Sequence, residues 1–484
     1  MPTETPRAFR WYDYLTLNIY YLGLSTLSNT MAPLVIPLLV EQFVGEAQKA
    51  SYYGTIRLWG LMVALLAQAF WGILSDRSAS RWGRRRPFIL GGTLADLIFI
   101  AAIGFSAGLN GMTGFWFLFA MYLLLQASTN AAQAAQQGLI PDLVPENKRG
   151  KFSAIKAVLE VPLPVIIVSF TVGRLIGAGN MWGGILAMAA ILVLSMLVAL
   201  FIREERLQET PPALRGAWTP FARLVLMTAL FAIIILGLGE IIKFVSALLV
   251  GVKDVTTLFI AFGVAGFVAM AIAVALGVWL SVRISIGDAA RANPSFTWWV
   301  VNRLAYLVGV VNLSTFTVYF LQGRLGLVRE QAAGPAANLL LVLGFLMLIF
   351  ALVSGWLTDR LGHKRIVATA GVVAALGVGI AVAVPNLIVI AIGAAFIGAA
   401  TGMFYTANWA LGTQLVPKAE AGRYLGISNL AGAGAGAIGA YIGGPIADFF
   451  TVNVPGIPGL GYVLLFAIYG VMFLFSMIAL ARVK

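Results

Sequence analysis

Long apolar runs alternate with short polar breaks along the whole chain, and that rhythm predicts its elements. A helix needs about 20 apolar residues to cross a hydrocarbon core about 30 Å thick. Runs of that length fall at 13–42, 52–75, 87–108, 115–139, 152–176 and 182–202. Eight more follow at 221–249, 255–283, 296–322, 335–357, 365–384, 386–412, 424–447 and 459–482. The pattern predicts an all-α polytopic membrane protein of fourteen spans, numbered here in chain order. Span 7 is long and holds Glu240 and Lys243, so a tilt or a break is expected there.

Polar positions inside the spans carry the second signal, because they are costly in hydrocarbon and mark pathways or interhelical bonds. Span 4 holds Gln126, Asn130, Gln133 and Gln137 at steps of four, three and four, which fall on one stripe of a helix. Gln137, near one end, reads as an interhelical bond. Gln126, Asn130 and Gln133 read as cavity residues, since an amide both donates to and accepts from a sugar hydroxyl. Span 1 shows a similar stripe, Asn18, Ser25 and Asn29, and span 12 carries Thr401, Tyr405 and Asn408 with Trp409 adjoining. A ring beside amides suits the face of a pyranose. The expected solute cavity is therefore Asn29, Gln126, Asn130, Gln133, Tyr405, Asn408 and Trp409.

Charged residues in the spans divide by depth. Asp96 lies roughly 13 Å along span 3 at 1.5 Å per residue, close to mid-membrane. Its charged form is costly there, so it is expected to exchange a proton and couple transport to a proton gradient. Burial against a neighbouring helix is the competing reading. Arg303 is expected to snorkel to the interface, and Arg57 and Arg174 to be interfacial. Lys156 with Glu160, and Glu240 with Lys243, have the spacing of locally neutralising pairs.

Composition confirms the class. Of the residues 60% are hydrophobic and only 11% are charged; the mean hydropathy is +0.93. A soluble domain carries about 25% charged residues. The net charge of +13 invites a nucleic-acid reading, which fails once the positions are plotted. Basic residues gather in alternate loops, at Arg77–Arg86, Lys148–Lys151, Arg203–Arg223 and Arg360–Arg365, and at both termini. The opposite loops hold little beyond Lys49, Lys253, Arg324 and Arg329. By the positive-inside rule both termini are cytoplasmic, and a prokaryotic plasma membrane is the expected location. Cysteine is absent and His363 is the sole histidine. With no metal cluster and no phosphate-binding loop in the sequence, nothing supports an enzyme, and neither a cofactor nor ATP hydrolysis is expected. Energy must come from an ion gradient, or transport runs downhill.

Two internal repeats define halves. Gly72-Ile73-Leu74-Ser75-Asp76-Arg77, then Arg81, Gly83, Arg84, Arg85 and Arg86, follows span 2. Gly355-Trp356-Leu357-Thr358-Asp359-Arg360, then Gly362, Lys364 and Arg365, follows span 10. Leu143-Val144-Pro145 closes span 4 and Leu415-Val416-Pro417 closes span 12, each followed by Gly and Arg at the start of the next span. These motifs resemble the loop between the second and third helices of major facilitator superfamily transporters, whose halves hold six helices each. The resemblance implies two pseudo-symmetric six-helix bundles, 1–204 and 296–484, with spans 7 and 8 inserted between them in 205–295. It also implies a cytoplasmic latch, in which each hairpin acid meets a helix N-terminus of the other half. Asp76 would then lie near the start of span 13 and Asp359 near the start of span 5. Arg77, Arg84, Arg360 and Arg423 complete the expected gate. A carboxylate is stabilised by free N–H groups and the helix dipole, and release of the latch accompanies rocking. Pairing of both acids with neighbouring arginines is the plainer alternative.

A sharper local match runs through Arg57-Leu58-Trp59-Gly60, Gln68, Gly72, Ser75-Asp76-Arg77 and Arg81 to Ile89. It resembles sucrose–proton symporters and their sugar–cation relatives. Those proteins carry an arginine five residues before the acid that ends the fourth helix, where this chain has Gln137 before Asp142, so sucrose itself is in doubt. The expectation is a secondary transporter, a monomer in the lipid bilayer, moving a sugar or similar polar solute with a proton or another cation. A drug or metabolite exporter, and a sensor or assembly factor without flux, remain open.

Overall fold

The computed structural model of the protein describes residues 10–202, 204, 215–287, 294–416 and 421–483, with the side chains of all but 215, 217, 421–426 and 428–431. Fourteen helices among these residues are long and apolar enough to span a membrane. They are α1 Trp11–Val44, α2 Lys49–Asp76, α3 Arg86–Ser106, α4 Gly111–Leu143, α5 Glu146–Gly177 and α6 Met181–Ala199. The insert is α7 Arg215–Leu249 and α8 Val255–Ser285. The second half is α9 Pro294–Leu325, α10 Ala333–Leu361, α11 His363–Ala383, α12 Leu387–Leu415, α13 Ala421–Asn453 and α14 Leu460–Ala481. Several run a turn or two beyond the apolar cores that predict them, because a backbone that must bond itself in hydrocarbon has no reason to unwind at its edge. An even number of spans puts both chain ends on one side, called here the terminal face; the other is the far face.

Span 7 forms one unbroken helix rather than a broken one. Glu240 and Lys243 pair at 2.6 Å, and Tyr441 of α13 donates to Glu240 at 3.2 Å, so the two charges neutralise each other and dock the helix. The α7–α8 pair packs on α13, with α7 also against α2 and α8 against α9 and α14. It therefore touches both halves along the seam where α2 and α13 meet.

That seam is tight because it lacks side chains. A Cβ on Gly54 would lie 2.4 Å from the Ala440 carbonyl oxygen, and one on Gly444 would lie 2.5 Å from that of Ala50. The glycine run of α13 thus lets two backbones touch. Elsewhere on the far face, Ser169 of α5 donates to Asn338 of α10 at 2.7 Å.

Among the described residues two helices carry π-turns, α1 at Met31–Val35 and α5 at Val168–Val172. In α1 the Ile36 N–H reaches back to Met31, and Pro37 has no N–H to offer the next carbonyl. The orphaned Ala32 carbonyl instead accepts the Tyr53 hydroxyl of α2 at 2.5 Å. Such bulges often border functional sites, and this one borders the central cavity.

Candidate functional site: a cavity between the halves

A cavity of about 340 Å³ lies where α1, α2 and α5 face α9 and α10. Its polar wall is Ser28 and Asn29 of α1, Tyr53 and Arg57 of α2, Glu160 of α5, and Ser314 and Thr315 of α9; Val165, Leu343 and Met347 are among its apolar lining. Arg57, expected at an interface, is instead 9% exposed and lines this cavity. Its Nη1 donates to the Tyr122 hydroxyl over a long 3.4 Å, and its Nε has no acceptor. The misplacement has a plain cause. Helix α2 starts at Lys49, inside the far-face contact, so Arg57 lies two turns into the bundle rather than at its rim. Glu160 pairs with Lys156 at 3.5 Å as its spacing implies, and it also borders the cavity.

Of the seven expected cavity residues, Asn29 is in this lining. Gln126 donates to the Gly60 carbonyl of α2 at 3.4 Å, and Asn130 bonds the Gln126 carbonyl of its own helix at 2.8 Å. Gln133 is half-buried on the same helix. Gln137 bonds Gln68 of α2 at 3.0 Å, an interhelical bond as its position implies. The residues of α12 gather elsewhere, around Arg303. Its guanidinium lies 5.4 Å from the Trp409 ring and 5.9 Å from the Trp299 ring, and it donates to the Asn408 side chain at 3.2 Å. Asn408 is fully buried and donates in turn to Asn302 at 2.8 Å. Tyr405 and Trp409 stay 37% and 43% exposed beside this cluster. Arg303 is therefore held between rings rather than reaching to the interface. An ionisable side chain inside a span is a functional candidate by default, and that signal would have found both arginines.

Asp96 is fully buried between α3 and α4. One carboxylate oxygen accepts from the Ser128 and Thr129 hydroxyls, the latter at 2.8 Å, and the other has no partner. It lies outside the lining of the central cavity. Close by, the Tyr20 and Thr93 hydroxyls bond each other at 2.6 Å.

The gate residues present a contrast between the faces. On the terminal face Asp76 pairs with Arg85 at 2.6 Å, and Arg84 and Arg85 both engage Asp142 at the end of α4. Glu204 accepts the backbone N–H groups of Arg85, at 2.7 Å, and Arg86, at 3.2 Å, at the start of α3. Burial lifts its carboxyl above the ordinary range, against the pull of those N–H groups. Arg77 donates to the Ile73 carbonyl at 3.0 Å. Asp359 and Arg360 are exposed at the end of α10, with Arg360 4.0 Å over the Trp356 ring. The Arg423 side chain lies outside the described residues. On the far face Asp448 of α13 accepts from the N–H groups of Ala50 and Ser51, at 3.0 and 2.8 Å, at the start of α2. Lys49 bonds Glu41 at 3.0 Å and Gln322 of α9 at 2.8 Å, and Tyr319 of α9 donates to the Pro37 carbonyl at 2.7 Å. A carboxylate capping a helix of the other half is thus present on the far face.

Helices of the two bundles thus meet around a cavity with polar groups from both, in a molecule whose described helices are long and apolar enough to span a membrane. The model of the Major Facilitator Superfamily matches residues 21–323 and 299–484, and the chain belongs to that family. It is an integral membrane protein. A sucrose transport protein of Arabidopsis thaliana is 30% identical over 128 residues, 22% of this chain and 20% of that protein. An uncharacterized symporter of Synechocystis sp. is 25% identical over 207 residues, 40% of this chain and 37% of that protein. The matches thus span about a fifth to two fifths of these relatives. Among solved structures, a peptide transporter, POT, superposes with a TM-score of 0.66 at 15% identity, over 99% of this chain and 96% of that one. A D-xylose-proton symporter does so with 0.62 at 14% identity, over 98% of each. At such identities these structures speak for the fold alone.

Proposed function

We propose that this transporter moves a sugar or similar small polar solute together with a proton, by alternating access. The observation that carries the proposal is the cavity between the halves, whose hydrogen-bonding groups come from both, Ser28 and Asn29 from one and Ser314 and Thr315 from the other. A solute bound there is gripped by two bodies that can rock apart on either side. The local likeness to sucrose transport proteins supports a sugar-like solute. In this reading the chain acts as a monomer with bundles at 1–204 and 296–484 and the insert at 205–295, and its basic loops place both termini in the cytoplasm. Asp96 is the coupling carboxyl. It has no cationic partner among the described residues and one unbonded oxygen, so it can take up a proton without breaking an ion pair.

Purified protein in liposomes tests this. A pH gradient should drive accumulation of at least one member of a panel of sugars, polyols and their derivatives, and a protonophore should abolish it. Absence of solute-dependent proton movement across the whole panel would refute the proposal.

A further inference from the structure

The central cavity holds a cation that no described residue neutralises. Glu160 is offset by Lys156, which leaves Arg57. Among the described residues no carboxylate lies within ion-pair distance of its guanidinium, which makes one long bond to a tyrosine and keeps its Nε unbonded while lining the cavity. A buried charge without partners is expensive and is kept where a ligand supplies the partner. Arginine is suited to that task, because its planar fork meets a carboxylate through two parallel bonds.

Arg303 repeats the arrangement nearer the terminal face. It precedes the cavity residues Val310 and Ser314 by seven and eleven positions, close to whole turns, so it stands on the same face of α9 about 10 and 16 Å away along the axis. It too has an unbonded Nε and no carboxylate partner among the described residues, only rings and the Asn408 amide. Two unmatched guanidiniums thus stand in the bundle, one in the cavity wall and one on the face of α9 that lines the cavity further along.

We propose that the solute is a polyhydroxylated organic acid, such as a sugar acid, whose carboxylate binds Arg57, with Arg303 as a second station on the way through. This rests on the solute-transport reading above and names the class of solute. A neutral sugar would satisfy the hydroxyls and amides of the cavity and leave Arg57 uncompensated.

The test measures binding to purified protein, and uptake into liposomes, of D-gluconate and D-glucuronate beside D-glucose and sucrose. The acids should bind at least about tenfold more tightly than the neutral sugars. Arg57→Gln should weaken the acids by about 10- to 100-fold and remove their advantage, while Arg57→Lys should keep part of it. Thermal melting without solute shows that each variant is folded; should Arg57→Gln not fold, the Arg57→Lys loss and the wild-type preference decide. Neutral sugars transported as well as or better than the acids would overturn this inference and leave the transport reading standing. If neither class moves in the wild type, both fail.

Discussion

Replacing Asp448 by Asn tests the far-face clamp, the contact that holds the cavity shut on that side. The carboxylate is 7% exposed and accepts two backbone N–H groups at the start of α2, at 3.0 and 2.8 Å. Hydrogen bonds to a charged group contribute about 1.5–3 kcal/mol each, and the negative charge also faces the positive end of the helix. Asparagine keeps one acceptor, loses the charge and turns an NH₂ donor toward N–H groups. The expected loss is about one such bond, 1.5–3 kcal/mol, borne only by the state in which the clamp is closed. The ratio of closed to open far face should fall by about 10- to 150-fold. Because the chain has no cysteine, spin labels placed through Ala47→Cys and Val328→Cys, exposed positions of the two halves, report the far-face separation alone. Asp448→Asn should move the distance distribution toward longer values. An unchanged distribution in a variant that folds and inserts like the parent would refute the clamp.

Asp96→Asn should abolish accumulation against a gradient while leaving solute counterflow measurable; a variant that still concentrates solute like the parent makes Asp96 structural, held by Ser128 and Thr129. Gly54→Ala should cost about 1–3 kcal/mol through overpacking against the Ala440 carbonyl, read as a lower melting temperature, and an unshifted melt would show that the α2–α13 seam has slack. Burial raises the Glu204 carboxyl above its ordinary value of 4.5, so the folded state holds its proton to higher pH than the unfolded state. Stability should fall as pH rises from 4.5 through the raised value, and Glu204→Gln should flatten that slope in a pH series of melts; an unaltered slope would mean other groups set it.

The sites show where sequence reasoning reaches its limit. The stripe of Gln126, Asn130, Gln133 and Gln137 follows from helical phase alone, and those residues do lie along one helix. Phase states which residues share a face but not which neighbour that face meets, and here Gly60 and Gln68 of α2 meet it. Asp96 looked solitary because its partners stand 32 and 33 residues away on the next helix. Arg57 lies near the apolar onset of span 2 and so reads as peripheral, whereas the helix begins earlier, in the clamp.

The sequence by itself determined the all-helical class and the fourteen spans. A bilayer forces every backbone group to be satisfied within its own helix, so span length and loop charge are local properties written in consecutive residues. Only the tertiary structure decided which charges and polar groups of different helices face one another. The pairing of Asp448 with the start of α2, the orphaned Ala32 carbonyl meeting Tyr53, and the unmatched Arg57 in the cavity wall all join residues from different helices. Such contacts depend on how rigid helices rotate and cross, and close approach at Gly54 and Gly444 sets that packing in three dimensions.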